Sequence, residues 1–451
     1  MKESNLGLKD KYTLKFVDLF AGCGGLSLGF LQAGLEGIFA IERDPMAFET
    51  FKANLLGSQR TGQAFNWPAW LEQEARDIEN LLDRHRDDLG SLMGKVDVLC
   101  GGPPCQGFSF AGRRNEDDPR NQLFNKYVEV VEALEPQAIV LENVPGMKVM
   151  HGRGNIVPLS GANAYPMRQS YYDKLVVRLE DAGYEVASAL VDCSRFGVPQ
   201  RRSRLIAIGM RKDIAEGISD FEKRAFELLE SSRVRMLREL GLQESMSASH
   251  AISDLETKGK QLVPCQDPMA RGDFHEAAYL HPMTSYQVFM QDGHEGPMDS
   301  MRLARHRPDV AARFERIINE CRKGVPMNEA SRRDFGLKKH RIHPMSPDEP
   351  SPTVTTLPDD ILHYSEPRIL TVRETARLQS FPDWFHFKGK YTTGGHRRRN
   401  ECPRYTQVGN AVPPLLAQAI GIAVGKLIEE ASSDTSPNEN RFTGLEAKIS
   451  A

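Results

Sequence analysis

Apolar runs alternate with helical patterns through the first two hundred residues, and this alternation constrains the fold more than any other feature. Helical spacing occupies much of the chain between the apolar runs, notably at 122–134 and 170–182. The predicted strands are Lys15–Phe20, Gly37–Ile41, Val96–Cys100, Ala138–Leu141, Val186–Val191 and Leu205–Gly209. Strands that alternate with helices in this way predict an α/β domain with a mostly parallel, doubly wound sheet.

Composition excludes some classes of protein and leaves others open. The 451 residues include 58 Lys and Arg against 61 Asp and Glu, a net charge of −3 that excludes a histone-like basic protein. A locally basic groove is still compatible with that balance. The 7 cysteines include no C-x-x-C pair, which argues against a zinc ribbon or a disulfide scaffold. We therefore predict no metal site and a cytoplasmic location.

The strand–helix alternation stops after about Met210. Residues 211–350 have no clear rhythm, and within them 301–345 carry 12 Lys and Arg against 5 Asp and Glu. A second basic stretch follows at 385–404, and the apolar run Pro413–Ile428 predicts a buried helix, since it is too interrupted to span a bilayer. We predict an irregular second domain in this part of the chain, and a flexible polar tail over 431–451.

Residues able to do chemistry follow the predicted strands directly. They are the Gly22–Gly25 turn, Glu42, the loop that contains Cys105, and Glu142. In a doubly wound sheet, ligands bind at the carboxyl ends of the strands. The sequence therefore predicts a functional site at this edge of the sheet.

The first of these segments, D-L-F-A-G-C-G-G, is a glycine turn between a strand and a helix. Such a turn lets backbone amides approach a ligand closely. Ser27 stands where a dinucleotide fingerprint has its third glycine, and Glu42 follows the next strand, where an acid can accept hydrogen bonds from ribose hydroxyls. A nucleoside cofactor without a pyrophosphate fits both features, and a plain tight turn beside a surface acid is the alternative.

Three further features have both a catalytic and an ordinary explanation. Cys105 lies after two prolines that stiffen its loop, as a nucleophile requires, although a lone cysteine is more often inert. Glu142 ends an apolar strand, which would keep it protonated as an acid, or it is a helix N-terminal carboxylate. The arginines 201, 202 and 204 either recognise a phosphate or carboxylate or form a solvated edge.

Taken together, the motifs resemble those of a known family. FVDLFAGCGGLSLGF, GGPPCQGFS, ENVPGM, VPQRRSR, RLQSFPD and QVGNAVPP occur in this order. The chain from about Lys15 to Ile428 resembles the cytosine-5 DNA methyltransferases, of the bacterial single-chain modification type. The interruption at 211–350 is similar to the variable target-recognition region of that family, and Thr353–Thr356 resembles the threonine-containing turn that often closes it.

The resemblance implies a covalent mechanism on cytosine. Cys105 is expected to add to carbon 6 of the ring, which makes carbon 5 nucleophilic. Glu142 is expected to protonate or hydrogen-bond ring nitrogen 3, and Arg202 and Arg204 to hold the carbonyl oxygen of the base and nearby groups. The group that removes the carbon-5 proton is not identified.

The resemblance also implies S-adenosyl-L-methionine as methyl donor, in a Rossmann-like methyltransferase domain. In this arrangement Phe20 stacks near the adenine, Glu42 binds the ribose, and the far end of the chain closes the pocket. The expected cofactor-binding residues are Phe20, Ala21, Gly22, Cys23, Gly24, Gly25, Glu42, Asp77, Ile78, Pro104, Leu123, Asn410 and Val412.

A discontinuous catalytic domain follows from that arrangement. We predict its first part at 1–195, a smaller target-recognition domain at 196–404, and a completing segment at 405–430. The implied partner is double-stranded DNA whose target cytosine is flipped out of the helix. A restriction or defence protein as a further partner is left open, no membrane is involved, and a monomer is the simplest expectation.

Three other readings compete with this one. The tRNA-methylating branch shares these motifs, but the long variable region argues against it. A catalytically dead DNA-binding paralogue would be expected to have lost Cys105 or Glu142, and both are present. A nicotinamide oxidoreductase fits poorly with Ser27 and with the cysteine loop.

Overall fold

The computed structural model describes residues 12–57, 60, 64–103, 123–148, 170–270, 272–337, 341–393, 397 and 400–433. Six strands form its main sheet, in the order β2-β1-β3-β4-β6-β5. They are β1 Lys15–Leu19, β2 Glu36–Ile41, β3 Val98–Gly101, β4 Ala138–Asn143, β5 Tyr184–Asp192 and β6 Ser203–Arg211. The strands β1 to β4 are mutually parallel, and β6 pairs antiparallel with both β4 and β5. The predicted mostly parallel α/β sheet is confirmed.

Burial of both faces explains why the central strands are continuous apolar runs. Every residue of β3 and β4 is buried, as is expected where helices cover a parallel sheet on both sides. Neighbouring residues of β1 enter different apolar clusters, since Phe16 belongs to one and Val17 to the other. The helices of this half are α1 Gly25–Gln32, α2 Pro45–Leu55, α3 Ile78–Arg84, α4 Arg86–Gly90, α5 Leu123–Leu134 and α6 Tyr171–Asp181.

The strand order changes direction between β1 and β3. The chain moves from β1 outward to β2 and then returns to the other side of β1 to form β3 and β4. A crevice opens at such a switch point, outside the carboxyl ends of the strands. Leu19 pairs with both Ile41 and Gly101, so the segments that follow these three residues begin side by side.

The second half of the chain is more regular than predicted. Its helices are α7 Lys212–Ala215, α8 Phe221–Leu240, α9 Ala248–Ile252, α10 Ser285–Gln291, α11 Pro308–Glu320, α12 Glu329–Asp334, α13 Val372–Leu378, α14 Arg404–Asn410 and α15 Pro414–Ser433. Short strand pairs join them: β7 Leu262–Pro264 with β8 His275–Ala277, and β9 His343–Pro344 with β10 Ile361–Leu362. The sequence shows no clear strand–helix rhythm over 211–350, and it did not predict the 20-residue helix α8.

Helix α15, near the end of the described chain, packs against the N-terminal helix α1. It also packs against α8, and its buried residues belong to the same cluster as Phe16 and Phe30. The run 404–433 is long and apolar enough to cross a membrane by composition alone, yet 67% of its apolar window is buried inside the protein. It is a core helix of the fold. The domain divisions at 195, 404 and 430 stay predictions.

Candidate active site

The glycine turn after β1 contains three residues with left-handed backbone conformations. Phe20 and Gly22 have φ angles of 60° and 58°, and Gly24, the N-cap of α1, has 96°. The amide of Ala21 donates to the carbonyl of Ile41 at 3.0 Å, which ties the turn to the end of β2. Such left-handed conformations suit glycine best, so the two glycines are required by the turn itself.

Glu42 organises both neighbouring loops. Its Oε2 accepts a hydrogen bond from the amide of Gly22 at 2.9 Å, and its Oε1 accepts one from the amide of Asp44 at 2.7 Å. Burial raises the pKa of this carboxyl, and the two amides oppose that rise. The backbone carbonyl of Glu42 also accepts from the amide of Arg76 at 2.7 Å, which places the following residues, Asp77 and Ile78, at the same edge.

Asp77 and Ile78 begin helix α3. The carboxylate of Asp77 caps the helix by accepting from the amide of Asn80 at 2.7 Å, and its side chain is exposed, whereas Ile78 is buried. The sequence predicted both residues beside the cofactor. Leu123, also expected in the pocket wall, is the first residue of α5 and packs, partly buried, on the apolar cluster of the sheet.

A buried carboxyl beneath the turn was not singled out from the sequence. Asp18 is 1% exposed and accepts a hydrogen bond from the hydroxyl of Ser27 at 2.5 Å. Burial raises its pKa to about 7, while hydrogen bonds from Ser27 and the Cys100 thiol lower it. This contact fixes the first turn of α1 to β1. An acid inside an otherwise apolar strand was the available signal, since carboxylates are rarely buried without partners.

The loop after β3 starts at the same edge. Pro104 and Cys105 lie outside the described residues, but Pro103 is buried and its carbonyl accepts a hydrogen bond from Nδ2 of Asn143 at 3.0 Å. A Cβ atom on Gly102 would lie 2.9 Å from the carbonyl oxygen of Glu142. The start of the cysteine loop is therefore fastened against the end of β4.

Glu142 and Arg204 form an ion pair at this point. Nε of Arg204 lies 2.7 Å from Oε1 of Glu142, and each side chain is 11% exposed. Their strands β4 and β6 are antiparallel neighbours, which explains how two distant motifs meet. Glu142 thus has a cationic partner. The sequence predicted only the apolar surroundings of its strand and did not predict this ion pair.

Arg202 has a different environment from Arg204. It is 1% exposed, and its two terminal nitrogens donate to the carbonyls of Val354, Gly409 and Ala411 at 3.1, 3.0 and 3.1 Å. Burial lowers its pKa to about 9. The side chain joins the VPQRRSR segment to the threonine-containing turn and to the GNAVPP segment.

The C-terminal segment reaches the glycine turn directly. A Cβ atom on Gly25 would lie 2.3 Å from the carbonyl oxygen of Val412, so only glycine permits this approach. The thiol of Cys23 also donates to the carbonyl of Gln407 at 3.7 Å. Asn410 ends α14 two residues before Val412 and is exposed.

Comparisons with known proteins now identify the family. The model of the family described as C-5 cytosine-specific DNA methylase matches residues 14–426. The chain belongs to this family. The Type II methyltransferase M.DdeI of Desulfomicrobium norvegicum is 32% identical over 421 residues, which cover 90% of this chain and 87% of that protein. The Type II methyltransferase M1.HphI of Haemophilus parahaemolyticus is 33% identical over 423 residues, which cover 92% and 87%.

A solved structure shares the fold of this methyltransferase. The crystal structure of a DNA modification methyltransferase encoded within an E. coli prophage covers 92% of this chain and 100% of its own, with a TM-score of 0.58 and 22% identity. The chain is thus a DNA (cytosine-5) methyltransferase, and S-adenosylmethionine is its methyl donor.

The glycine turn fits that donor. A Cβ atom on Gly22 would meet no atom of the described residues within 4 Å, and the carboxyl of Glu42 lies beside the turn. Phe20 and Ala21 are partly buried in the turn, and Gly24 and Gly25 begin α1. The structure therefore brings Gly22–Gly25, Glu42 and Val412 together, and their contact with the donor stays a prediction.

Proposed function

We propose that this enzyme methylates carbon 5 of a flipped-out cytosine in a specific double-stranded DNA sequence, through a covalent adduct with Cys105. The observation that supports this most strongly is the Glu142–Arg204 ion pair beside the anchored start of the cysteine loop. It lies at the same sheet edge as the glycine turn, so the acid and the donor pocket share one crevice.

The other cysteines support Cys105 as the nucleophile. Burial raises the pKa of every cysteine in the described part of the chain, and a thiol with a raised pKa is a poor thiolate nucleophile at neutral pH. These residues are Cys23, Cys100, Cys193, Cys265, Cys321 and Cys402.

The Cys105 thiolate forms a bond to carbon 6, electron density moves toward carbon 5, and Glu142 donates a proton to ring nitrogen 3. S-adenosylmethionine, when bound, would supply the methyl group for carbon 5 and keep the electrons of the broken sulfur–methyl bond as a neutral thioether. A base then removes the carbon-5 proton, the bond between carbon 6 and sulfur breaks, Cys105 leaves as thiolate, and the proton on nitrogen 3 returns to Glu142.

Arg204 and Arg202 have different roles in this mechanism. Arg204 orients the Glu142 carboxyl and faces the base with it. Arg202 is a positioning residue, because its terminal nitrogens are occupied by three backbone carbonyls. It keeps the segments around Val354 and Ala411 in register with Arg204.

The biological setting is part of the proposal. The named relatives are Type II methyltransferases, which supports a role as the modification enzyme of a restriction–modification or anti-phage defence system. We propose that the enzyme works in the cytoplasm as a monomer.

A mechanism-based trap tests the chemistry. Fluorine at carbon 5 cannot leave as a proton does, so the adduct persists. We expect a denaturation-stable complex between the enzyme and a mixed-sequence duplex that contains 5-fluorocytosine, formed only when S-adenosylmethionine is added.

Two cysteine variants test whether the trapped complex depends on Cys105. Cys105→Ala is expected to bind S-adenosylmethionine but form no complex, whereas Cys265→Ala is expected to form it as the wild type does. A complex with Cys105→Ala, or methylation of tRNA in place of duplex DNA, would contradict the proposal. Bisulfite sequencing of DNA from expressing cells then reports the sequence context.

A further inference from the structure

Five side chains in the second half of the enzyme form a column in which arginines alternate with aromatic rings. Arg404 and Arg302 lie against Tyr391, with Cζ 4.5 and 3.8 Å from the ring centroid. Arg302 and Arg305 lie against Phe274, at 4.2 and 4.5 Å. Guanidinium groups on aromatic faces are held by cation–π attraction, which is strongest where water is excluded.

The two ends of this arginine–aromatic column differ. At the inner end, Arg404 forms an ion pair with Asp267, which also accepts a hydrogen bond from the hydroxyl of Tyr391 at 2.8 Å. At the outer end, Arg305 is exposed and has no ion pair with any residue that the structure describes. Arg302, between the rings, likewise pairs with no described acid, and its buried Nε has no hydrogen-bond partner among the described atoms.

The backbone fixes the column in place. The amide of Leu303 donates to the carbonyl of His275 at 2.9 Å, and the amide of Cys265 donates to the carbonyl of Phe274 at 2.9 Å. The Phe274 ring is therefore attached to a short strand pair, and Arg305 leans on it with restricted freedom. An arginine ordered in advance loses less conformational entropy when it binds an anion.

Arg305 faces a cleft of about 670 Å³. Lys258 and His306 line the same cleft, and Ala311 contributes from the first turn of α11. The imidazole Nε2 of His306 accepts a hydrogen bond from the amide of Ile369 at 3.3 Å, which leaves the proton on Nδ1. Burial lowers the pKa of His306, so near neutral pH it is an uncharged donor.

The acid of this cleft already has partners. Oε1 of Glu366 accepts hydrogen bonds from the amide and hydroxyl of Thr257 at 2.6 and 2.9 Å, and from the amide of Lys258 at 3.1 Å. Its Oε2 forms an ion pair with Arg368 at 2.7 Å, and Arg368 also pairs with the buried carboxylate of Glu374, so these three side chains together carry one formal negative charge. Arg305 and Lys258 add two positive charges, which leaves the cleft with a net positive charge among the described residues.

We propose that this cleft binds a backbone phosphate of the DNA substrate, with Arg305 as the principal contact and the arginine–aromatic column as its support. The inference rests on the proposed function, because duplex DNA is the polyanion that this enzyme must hold. The contact positions the duplex without reading its sequence.

Salt dependence of binding tests the proposal. The dissociation constant of the full-length enzyme for a mixed-sequence duplex is measured over a range of NaCl concentrations. Arg305→Ala is expected to weaken binding roughly tenfold at low salt and to reduce the slope of log K against log[NaCl] by about 0.9, the value for one phosphate contact. Arg238→Ala, which removes an exposed arginine of α8, is the matched control and should keep the wild-type slope.

A second variant tests the column. Phe274→Leu keeps an apolar side chain but removes the ring face, so we expect an intermediate loss of affinity. Wild-type affinity and slope in Arg305→Ala would overturn the phosphate site. A Phe274→Leu enzyme that binds as the wild type does, while Arg305→Ala binds weakly, would overturn the supporting role of the column.

The proposed reaction is measured separately. Formation of 5-methylcytosine by the wild-type enzyme reports on the chemistry, whereas the salt slopes report on the cleft. A wild type that makes no 5-methylcytosine contradicts the proposed function, and an unchanged slope in Arg305→Ala contradicts only the phosphate site.

Discussion

Glu42 and Asp18 show how single carboxyl groups shape the donor pocket. Glu42 uses both oxygens to hold the amides of Gly22 and Asp44, and so fixes the turn before any ligand binds. Asp18 acts from below, through the hydroxyl of Ser27. One acid holds the turn, and the other holds the helix that begins where the turn ends.

We expect Glu42→Ala to raise the dissociation constant for S-adenosylmethionine about tenfold or more, because hydrogen bonds to a charged group are lost from the turn and from the ribose. Isothermal titration calorimetry measures this directly. Glu49→Ala, an exposed change on α2, is the control. An unchanged affinity in Glu42→Ala would remove Glu42 from the pocket.

Because the pKa of Asp18 is raised in the folded protein, the free energy of unfolding should depend on pH. The folded protein holds this proton up to about pH 7, whereas an unfolded aspartate loses it near pH 4. The Asp18 proton therefore makes its full contribution to the free energy of unfolding at low pH. That contribution is lost as the pH rises from about 4 to about 7. Asparagine does not titrate, so Asp18→Asn should not show this loss. Between these pH values its free energy of unfolding should therefore rise relative to that of the wild type by a few kcal/mol, at about 1.4 kcal/mol per pKa unit.

Urea unfolding of both proteins at several pH values checks this. The exposed change Asp83→Asn is the control. A difference between Asp18→Asn and the wild type that does not vary with pH would show that Asp18 is not protonated in the folded state.

At the scale of single residues, the sequence pointed to Glu42 and Glu142 because each lies at the end of a predicted strand, and to Arg204 because it belongs to the VPQRRSR motif. It did not predict the environment of Arg202. The carbonyl partners of Arg202 belong to Val354, Gly409 and Ala411, which are more than 150 residues away along the chain. No local spacing reports such a contact, so a base-holding role and a positioning role could not be separated.

Among the elements, α1 and α15 make a close contact next to the glycine turn. A Cβ atom on Gly29 would lie 2.4 Å from Cβ of Ala417 and 2.5 Å from the carbonyl oxygen of Pro414. The two helices can approach this closely only because Gly29 has no side chain. The same approach brings Val412 against Gly25.

We predict that Gly29→Ala lowers the free energy of unfolding by about 1–3 kcal/mol, because the helices must separate to admit the methyl group. Gly90→Ala is the matched control, since a Cβ atom there meets no described atom within 4 Å and alanine is the better helix former. Urea denaturation should show opposite signs for the two variants. Equal effects would mean that the close approach is not rigid.

The elements also show where prediction from sequence failed. The strands of the main sheet were found because burial on both faces leaves continuous apolar runs. Helix α8 was missed, although Phe221, Ala225, Leu228 and Leu229 are buried at helical spacing, because its many charged residues obscured the pattern. The short helices α9 and α10 carry too little periodicity of their own, and contacts with distant segments stabilise them.

On the scale of the whole molecule, a buried ion network joins the segment around Asp254 to helix α13 and the residues that follow it. Arg377 is fully buried, and its guanidinium bonds both Asp254 and Asp383 at 2.7–3.0 Å. It also donates to the carbonyl of Ala251 at 3.1 Å. One side chain thus holds together segments more than 120 residues apart.

Arg377→Met is expected to destabilise the enzyme by about 3–5 kcal/mol, since it leaves two carboxylates buried without their partner. The exposed change Arg238→Met is its control. Thermal and urea unfolding measure the difference. A loss of less than about 1 kcal/mol would show that the network contributes little beyond an apolar contact.

The meeting of α1 with α15 has a consequence for how the enzyme is made. A ribosome releases Gly25 long before Val412, the residue whose carbonyl packs against it. Until Val412 has emerged, the growing polypeptide lacks the segment that covers the glycine turn. A polypeptide that stops before Val412 is therefore expected to leave that turn uncovered on this side.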